Sequence, residues 1–496
     1  LTDRFEGDSA IGRYNNFNEE MVDLVLSAEG NLKAEHGTGR AMAPYVRRQY
    51  GDELYEVMQL LKRACDPAGT MNPGVILDDD PDAHITNIKL NPTVEEEIDP
   101  CVECGYCEPV CPSRDLTLTP RQRIVVRRAR QRAQESGDTH LVAELDEAYE
   151  YMGIDTCAVD SMCLTACPVG IDTGKFIKKL RHENAGAAEE KVWSTAAKNW
   201  QVTSRGAATA LTGAHMLPAQ LVTKVTDVAR SLIGPDTVPG YQPELGKGGK
   251  SRERLAGRVG DRYAETSGIY LPACVNSMFA PQGEGMGATE AFITVLERAG
   301  IALEVPRGIE KLCCGTPWSS KGMRKGHDIM EQRVRETVME ATDNARLPVI
   351  VDASSCTAGF QEMLESVGIT VIDALSFTAD TLLPRLETTQ PVDSMTIHPT
   401  CSAFQLGMMG DVEKVARAAA MEVHIPTAWN CCGYAGDRGM LHPELTESAT
   451  RAEAAQVTEL GAQYHASTNR TCELGMTRAT GEDYHHVLEM LERATR

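Results

Sequence analysis

The spacing of apolar residues predicts helices in the first half of the chain and alternating strands and helices in its last half. Amphipathic patterns indicate helices over residues 17–29 and about 49–63, and a helix-rich segment over 192–233. From residue 267 onward, short apolar strands alternate with amphipathic helices, which is typical of small α/β sheets. The expected strands are Ile269–Leu271, Pro348–Val351 and Ser394–His398, and the expected helices are 288–299, 326–343 and 412–421.

Changes in composition divide the chain into expected domains. An acidic, proline-bearing stretch at 78–82 and a segment rich in glycine, proline and charge at 234–263 are typical of linkers or long surface loops. The expected fold class is a multidomain α+β and α/β protein, with a helical tail, a second helical module, a helical segment with a linker, and two repeated α/β domains. Their expected bounds are residues 1–79, 80–190, 191–266, 267–390 and 391–496.

The charge of the chain limits its partners. The 496 residues contain 49 lysines and arginines against 71 aspartates and glutamates, which gives a net charge of −22. A chain this acidic repels nucleic acid and is not drawn to anionic lipid by charge. No apolar run approaches the roughly 18 residues that a spanning helix needs, so any membrane contact is expected to be peripheral.

Cysteine carries most of the candidate chemistry. Fifteen of the sixteen cysteines fall in patterned clusters, which suits metal binding in a reducing cytosol better than a disulfide scaffold. Cys65 stands outside these clusters, and we interpret it as a buried small hydrophobe.

The first cysteine cluster, residues 101–112, reads Cys-Val-Glu-Cys-Gly-Tyr-Cys-Glu-Pro-Val-Cys-Pro. Three thiols at two-residue gaps and a fourth before a proline form the bacterial iron–sulfur run, whose fourth thiolate ligates a different cluster. A second run follows in the same frame with Cys157, Cys163 and Cys167, but Asp160 occupies the position of its second cysteine. Two runs in register are poorly explained by a zinc site or by chance core thiols.

The crossed pairing of the two runs predicts two iron–sulfur clusters. The expected ligands are Cys101, Cys104, Cys107 and Cys167 for cluster I, and Cys111, Cys157 and Cys163, with Asp160 or no residue at the fourth iron, for cluster II. A carboxylate is a harder ligand than a thiolate, so cluster II is expected to be a labile four-iron or a stable three-iron cluster. The alternative is that Asp160 is a solvated loop residue. Such a module conducts electrons and leaves no open position for acid–base chemistry.

A helix between the two cysteine runs is predicted to begin at Thr119-Pro120, because proline suits the first helical turn. Six arginines crowd about three turns of this helix: Arg121, Arg123, Arg127, Arg128, Arg130 and Arg132. They form either a solvated face or a positive field that raises the reduction potential of a neighbouring cluster.

An internal repeat occupies residues 267–496. Each copy has one cysteine after a strand, then a Cys-Cys-Gly triplet, and a last cysteine 43 or 41 residues after the triplet begins. Adjacent cysteines do not readily bond to each other, but both can bridge irons of one cluster. The eight candidate ligands are Cys274, Cys313, Cys314 and Cys356 in the first copy, and Cys401, Cys431, Cys432 and Cys472 in the second.

This pattern resembles the cysteine-rich Cys-Cys-Gly domains of heterodisulfide reductase, of the glycolate oxidase iron–sulfur subunit and of the anaerobic glycerol-3-phosphate dehydrogenase anchor subunit. In the strongest metal-binding examples another cysteine stands three residues before the last one, where this chain has Ala353 and Asn469. Three interpretations therefore stay open for each copy: a further cluster of altered type, a zinc site, or a metal-free structural or redox thiol set.

The opening segment indicates a different kind of chemistry. Residues 35–39 read Glu-His-Gly-Thr-Gly, and residues 66–74 read Asp-Pro-Ala-Gly-Thr-Met-Asn-Pro-Gly. Together they resemble the C-terminal tail of the FAD-linked oxidases that act on 2-hydroxy acids. The resemblance implies that Glu35 binds a divalent metal such as zinc or manganese and that His36 accepts the proton of the substrate hydroxyl. Arg40 either holds the substrate carboxylate or is a surface arginine at a helix start.

The flavin-binding half of that family, with the histidines that complete its metal site, precedes this tail, and the present sequence has no counterpart to it. We interpret the chain as a fragment or a split subunit. Its expected partner is an FAD-binding half or subunit.

The order of these segments resembles the large FAD- and iron–sulfur-containing D-lactate dehydrogenases of bacteria over residues 20–496. The resemblance implies oxidation of a small D-2-hydroxy acid through FAD, with electrons passing through iron–sulfur clusters to a quinone or another carrier. D-Lactate ranks first as the substrate, D-2-hydroxyglutarate second and glycolate third. A cytoplasmic homo-oligomer, peripheral on the inner face of the membrane, is expected.

Two functions of other classes stay open. One is an electron-transfer subunit of a split glycolate oxidase or D-2-hydroxyglutarate dehydrogenase, although a relay has no need of Glu35 and His36. The other is a heterodisulfide-reductase-like enzyme in which the Cys-Cys-Gly sites perform the chemistry. The missing cysteines at Ala353 and Asn469 weaken that interpretation.

Overall fold

The computed structural model describes residues 7–33, 39–88 and 91–496. These residues form two compact units, one comprising 1–102 and 128–137 and the other 103–127 and 138–496, less the undescribed positions. Helices dominate both units, and the second also contains two small sheets, which confirms the α+β and α/β multidomain class. None of the described helices is long and apolar enough to span a membrane.

The first unit is built on the two helices that the apolar spacing predicts, α1 (Gly7–Ser27) and α2 (Val46–Cys65). The acidic stretch at 78–82, predicted to be a linker, packs on α2 instead: Tyr55 donates to the Asp78 carbonyl oxygen at 3.2 Å. The tyrosine satisfies a carbonyl that a free linker would expose to water. Cys65 is exposed at the end of α2, so its interpretation as a buried residue is wrong.

Helices connect the first unit to the sheets along the chain. The helix predicted at Pro120 is confirmed and contains all six of the arginines. The bounds are α3 Pro120–Glu135, α4 Thr139–Tyr149, α5 Met162–Ala166, α6 Thr173–Asn184, α7 Ala187–Lys198, α8 Trp200–His215 and α9 Ala219–Ile233.

The first sheet has five strands in the order β1-β3-β2-β4-β5, and all neighbours are parallel except β1 and β3. Its strands are β1 Gly257–Gly260, β2 Thr266–Leu271, β3 Ala302–Val305, β4 Val349–Val351 and β5 Val371–Asp373. Its helices are α10 Cys274–Met278, α11 Ala288–Arg298, α12 Thr316–Ser319, α13 Arg324–Ala341, α14 Ser354–Leu364 and α15 Ala374–Phe377.

The second sheet has four parallel strands in the order β7-β6-β8-β9. Its strands are β6 Val392–His398, β7 Ala420–His424, β8 Tyr464–Ser467 and β9 Tyr484–His486. Its helices are α16 Cys401–Gln405, α17 Met409–Ala419, α18 Arg438–Leu441, α19 Pro443–Leu460, α20 Arg470–Thr480 and α21 Val487–Ala494. The order matches β3-β2-β4-β5, so the duplication seen in the sequence is also a duplication of topology.

The two sheets share one hydrophobic core. Helix α21, at the end of the second copy, packs on α11 of the first and on α17 of the second. Arg298 of α11 pairs with Glu492 of α21 at 2.7 Å. Strand β1 lies inside the segment 234–263, which is predicted to be a linker or long loop. The apolar pattern does not predict this strand, because it is a short edge strand with glycine at both ends and has no apolar run.

Helices α7 and α8 pack on the first sheet domain rather than forming a separate one. The rings of Trp200 and Trp318 meet edge-on with centroids 4.9 Å apart, and the Trp318 indole donates to the carbonyl oxygen of Trp193 at 2.9 Å. The helix-rich segment therefore extends the core of the first copy.

Candidate iron–sulfur and metal sites

Most of the residues that the resemblance assigns to substrate oxidation lie outside the described residues. Glu35 and His36 fall in the interval 34–38, so their roles stay predictions. Arg40 is exposed, and its Nη2 donates to the carbonyl oxygen of Ala83 at 3.4 Å. Its assignment to the substrate carboxylate likewise stays a prediction.

His84, the residue after Ala83, is a buried histidine. His84 Nε2 lies 2.8 Å from Asn15 Oδ1 and 3.1 Å from the Tyr45 hydroxyl, and its Nδ1 is buried without a hydrogen-bond partner among the described residues. The sequence pattern does not single it out, because one histidine in an irregular segment has no spacing to set it apart.

The cysteines of the two iron–sulfur runs lie on loops and one short helix. Cys163 lies on α5, and Cys111 and Cys157 lie on irregular segments; all three are buried. Burial raises the pKa of the Cys111 and Cys163 thiols, so they keep their protons at neutral pH unless a metal favours the thiolates. The remaining candidates are more accessible: Cys101, Cys107 and Cys167 are half-buried, and Cys104 is exposed.

Arg123 of α3 places a buried positive charge beside these thiols. Only 1% of the residue is exposed, and its Nη1 lies 3.7 Å from Cys111 Sγ. Its Nη2 donates to Ser113 Oγ at 3.0 Å, and its Nε donates to the carbonyl oxygen of Gly153 at 2.7 Å. A buried guanidinium is stabilised when neighbouring thiols carry negative charge, so this donor set fits a cluster of net negative charge.

The simpler interpretation of the arginine helix, a solvated face, is wrong for two of its members. Besides Arg123, Arg128 is buried, and its Nη2 donates to the carbonyl oxygens of Asp99 and Cys101 at 3.1 and 3.0 Å. Irregular backbone leaves carbonyl groups that need donors, and these arginines supply them. Arg132 is exposed, as the solvated-face interpretation expects.

Asp160 meets cysteines of the second Cys-Cys-Gly domain. One of its carboxylate oxygens and the sulfurs of Cys401 and Cys431 all lie within 4.8 Å of one another. Burial raises the pKa of Asp160 to about 6, and its Oδ2 has no hydrogen-bond partner in the described part of the chain. The alternative of a solvated loop aspartate is therefore wrong, whereas its role at cluster II stays a prediction.

The four cysteines of the first copy gather where the parallel strands end. Cys274 opens α10 after β2, Cys313 and Cys314 follow β3, and Cys356 lies on α14 after β4. All four are buried, and the sulfurs of Cys274 and Cys313 are 3.6 Å apart. The carboxyl ends of parallel strands are the usual place for ligand-binding residues, as the sequence predicts.

The glycine of each Cys-Cys-Gly triplet has a backbone conformation that other residues rarely adopt. Gly315 has φ of 80° and Gly433 has φ of 69°. A side chain at Gly315 would also collide with Met363 and His327. The turn at each triplet therefore depends on glycine.

The second copy adds an imidazole to its thiols. The sulfurs of Cys432 and Cys472 are 3.3 Å apart, and a ring nitrogen of His398 lies within 4.8 Å of both. His398 Nδ1 is 2.9 Å from each carboxylate oxygen of Glu453. Burial opposes the charged imidazole, but the Glu453 carboxylate and the Cys432 sulfur together outweigh it and raise the pKa of His398 to about 10.

The places of the missing cysteines are occupied by residues with structural contacts. Ala353 is buried, and Asn469 Nδ2 donates to Ser355 Oγ of the first copy at 2.6 Å. Neither residue offers a soft ligand.

Sequence reasoning does not single out His398 or Glu453. A signal exists: aligning the copies on their first cysteines sets His398, three residues before Cys401, against Leu271, three residues before Cys274. The equivalent strand position is therefore polar in the second copy and apolar in the first, and this difference is the signal that singles out His398.

Three families match separate parts of the chain. Residues 3–76 match the FAD linked oxidases, C-terminal domain, and residues 97–171 match the 4Fe-4S dicluster domain. The cysteine-rich domain matches twice, at residues 270–361 and 395–477, which agrees with the two sheets.

The curated relatives match over short segments. The mitochondrial D-lactate dehydrogenase (cytochrome) of Kluyveromyces lactis is 38% identical over 66 residues, 13% of this chain and 12% of the relative. The corresponding D-lactate dehydrogenase (cytochrome) 1 of Saccharomyces cerevisiae is 36% identical over 63 residues, 13% of this chain and 11% of the relative. The D-2-hydroxyglutarate dehydrogenase of Stutzerimonas stutzeri is 31% identical over 74 residues, 15% of this chain and 16% of the relative.

The combination fits an FAD-linked, iron–sulfur D-lactate dehydrogenase-like protein. The matched segments are those of an FAD-linked oxidase and of an iron–sulfur dicluster domain. The chain spans between 11% and 16% of the length of these relatives.

Proposed function

We propose that this chain is part of an enzyme that oxidises a D-2-hydroxy acid to the 2-oxo acid through FAD and passes the electrons through iron–sulfur clusters to a quinone or another carrier. One observation carries the proposal: a single polypeptide joins an FAD-linked oxidase C-terminal domain to a 4Fe-4S dicluster domain. When bound, FAD supplies the hydride acceptor and the clusters supply one-electron carriers.

D-Lactate is the proposed substrate, because the D-lactate dehydrogenases named above match this chain, with D-2-hydroxyglutarate second and glycolate third. In this proposal His36 accepts the proton of the substrate hydroxyl, Glu35 helps to hold a divalent ion such as zinc or manganese, and Arg40 binds the carboxylate. An imidazole suits this task because its ordinary pKa lies near neutral pH.

The seven ferredoxin-type cysteines are proposed to hold two clusters. Cluster I takes Cys101, Cys104, Cys107 and Cys167, and cluster II takes Cys111, Cys157 and Cys163 with Asp160. The buried thiols of cluster II and the buried charge of Arg123 support this assignment. The eight cysteines of the Cys-Cys-Gly domains are proposed as ligands of further metal centres.

The FAD-binding half is proposed to cover an apolar face of α2. Leu54, Val57 and Leu61 lie at helical spacing on this helix and are 54%, 58% and 64% exposed. Three large apolar side chains on one face of a helix are typical of an interface. Helix α2 lies within residues 3–76, which match the FAD linked oxidases, C-terminal domain.

A cytoplasmic location with peripheral membrane contact is also proposed, and α9 supports it. Leu221, Val225, Val228 and Leu232 form an exposed apolar stripe along this helix, and none of its residues is buried. An amphipathic helix of this kind can lie in the interface of a bilayer without crossing it.

The function is tested by turnover of the complete native enzyme, purified anaerobically. We expect D-lactate to give the highest kcat/KM, ahead of D-2-hydroxyglutarate and glycolate. Turnover of D-2-hydroxyglutarate as fast as that of D-lactate would overturn the ranking. Failure of all three acids to reduce the flavin would overturn the proposal itself.

A further inference from the structure

The second Cys-Cys-Gly domain contains an imidazole whose surroundings are those of a metal ligand. His398 lies at the end of β6 and is 0% exposed. Its Nδ1 is engaged by both carboxylate oxygens of Glu453 at 2.9 Å. Its Nε2 is buried with no hydrogen-bond partner among the described residues. A buried ring nitrogen without a partner is costly unless it has a ligand to bind.

That nitrogen has two thiols as neighbours. With Nδ1 held by Glu453, Nε2 is the ring nitrogen left to face Cys432 and Cys472, and the three ligand atoms lie within 4.8 Å of one another. The two sulfurs are 3.3 Å apart. Ligands of a tetrahedral zinc ion with bonds of about 2.3 Å stand about 3.7 Å apart, so one ion fits this triangle after small adjustments.

The contact with Glu453 is the one that histidine ligands characteristically make. A metal-binding histidine donates its other ring N–H to a carboxylate, which fixes the tautomer and orients the lone pair of the ligating nitrogen toward the metal. Glu453 is 1% exposed and lies on α19, outside the cysteine loops. The buried Glu453 carboxylate holds Nδ1 of His398 and thereby leaves Nε2 on the side of Cys432 and Cys472.

The first copy lacks both features. Leu271 stands where the second copy has His398, and its four candidate ligands are all thiols. The difference is therefore local to the second copy, and a set of two thiolates and one imidazole is typical of zinc rather than of a cubane cluster.

We propose that His398 Nε2, Cys432 and Cys472 bind one zinc-class divalent ion in the second Cys-Cys-Gly domain, and that Glu453 positions the imidazole. The inference rests on the metal-ligand role that the proposed function gives to Cys432 and Cys472. It assigns the kind of ion and a nitrogen ligand to a site that the cysteine pattern alone leaves open. Three protein ligands leave a fourth position for water or another donor.

The test is metal analysis and zinc X-ray absorption spectroscopy on the complete enzyme, purified anaerobically with and without His398→Leu, the residue of the first copy. We expect the wild type to hold about one zinc per chain with nitrogen and sulfur neighbours, separate from the divalent ion proposed at Glu35, and His398→Leu to lose this sulfur-ligated zinc. Glu453→Gln should weaken zinc affinity about 10- to 100-fold, as loss of such a carboxylate partner does elsewhere.

Two further variants distinguish loss of a zinc ligand from misfolding of the domain. His398→Cys should restore zinc binding with an all-sulfur spectrum, which a merely structural histidine would not do. His465→Gln is the matched control: His465 is also buried in this domain, but it contacts Thr396 Oγ1 at 2.6 Å rather than thiols, so zinc content should not change. The iron content of the ferredoxin clusters reports whether each variant has folded.

Zinc retained in full by His398→Leu with an unchanged spectrum would overturn the nitrogen ligand. A wild-type enzyme with no sulfur-ligated zinc, whether it carries iron beyond the two ferredoxin clusters or only free thiols, would overturn the proposed ion. Oxidation of D-lactate is measured separately on the same preparations. Failure of the proposed function is thus distinguishable from failure of this site.

Discussion

A carboxylate oxygen of Asp160 lies within 4.8 Å of the sulfur of Cys431. Asp160 belongs to the second iron–sulfur run and Cys431 to the second Cys-Cys-Gly triplet, about 270 residues later in the chain. A second contact links the first iron–sulfur run to the residue before this triplet, where Asn430 Nδ2 donates to the carbonyl oxygen of Pro109 at 3.0 Å. The proposed cluster II and the second Cys-Cys-Gly site are therefore neighbours.

The role of Asp160 at cluster II predicts the effect of removing its carboxylate. Asp160→Ala should lose about one iron per chain and show the signal of a three-iron cluster, because no other ligand is proposed for the fourth iron. Iron analysis and electron paramagnetic resonance on the complete enzyme measure this. Asp160→Cys, which copies Cys104 of the first run, should retain the iron. Full iron content in Asp160→Ala would show that the carboxylate is not a ligand.

The buried guanidinium of Arg123 is expected to raise the reduction potential of cluster II. Arg123→Met removes a positive charge beside Cys111 and should lower the midpoint potential by about 60 mV or more, a tenfold change for a one-electron couple. Redox titration followed by electron paramagnetic resonance measures the shift. Arg123→Lys keeps the charge, and Arg132→Met changes an exposed arginine of the same helix, so both should shift it much less. An unchanged potential in Arg123→Met would remove the electrostatic argument.

The exposed face of α2 predicts how flavin is retained. A Leu54→Ser, Val57→Ser and Leu61→Ser triple variant should lower the ratio of FAD to chain in the purified complete enzyme, since it weakens the interface with the FAD-binding half. Leu24→Ser is the control, because Leu24 is 71% exposed on α1 instead. An unaltered flavin ratio in the triple variant would show that this face is not the contact.

The stripe on α9 predicts membrane association. Val225→Ser with Val228→Ser should reduce co-sedimentation with phosphatidylcholine vesicles several-fold, because binding strength scales with buried apolar area. Met421→Ser, which changes a residue 64% exposed on β7, should leave it unaffected. Equal sedimentation of the double variant and the wild type would show that α9 does not bind the bilayer through these residues.

Elements with strong periodicity were predictable from the sequence. The two copies of the α/β domain and the helix at Pro120 follow from apolar spacing and proline, and the cysteines lie after strands as expected. Strand β1 has no such signal, because it pairs through its backbone at a sheet edge.

The burial of individual residues and the pairing of distant side chains depend on tertiary contacts, which the sequence pattern does not show. Spacing alone cannot tell that Arg123 is buried and Arg132 exposed on one helix, since burial depends on what packs against each side. His398 and Glu453 are separated by 55 residues and become partners only when β6 and α19 pack together. Cys65 shows the converse: a residue type that is usually buried lies at an exposed helix end.

The most direct test of the central claim is the response of the clusters to substrate. The complete enzyme is mixed anaerobically with D-lactate, and flavin absorbance and electron paramagnetic resonance are recorded together. The account predicts flavin reduction followed by signals of reduced iron–sulfur clusters, with both absent in His36→Ala. Clusters that dithionite reduces but D-lactate leaves oxidised would contradict the proposed path from the hydroxy acid through this chain.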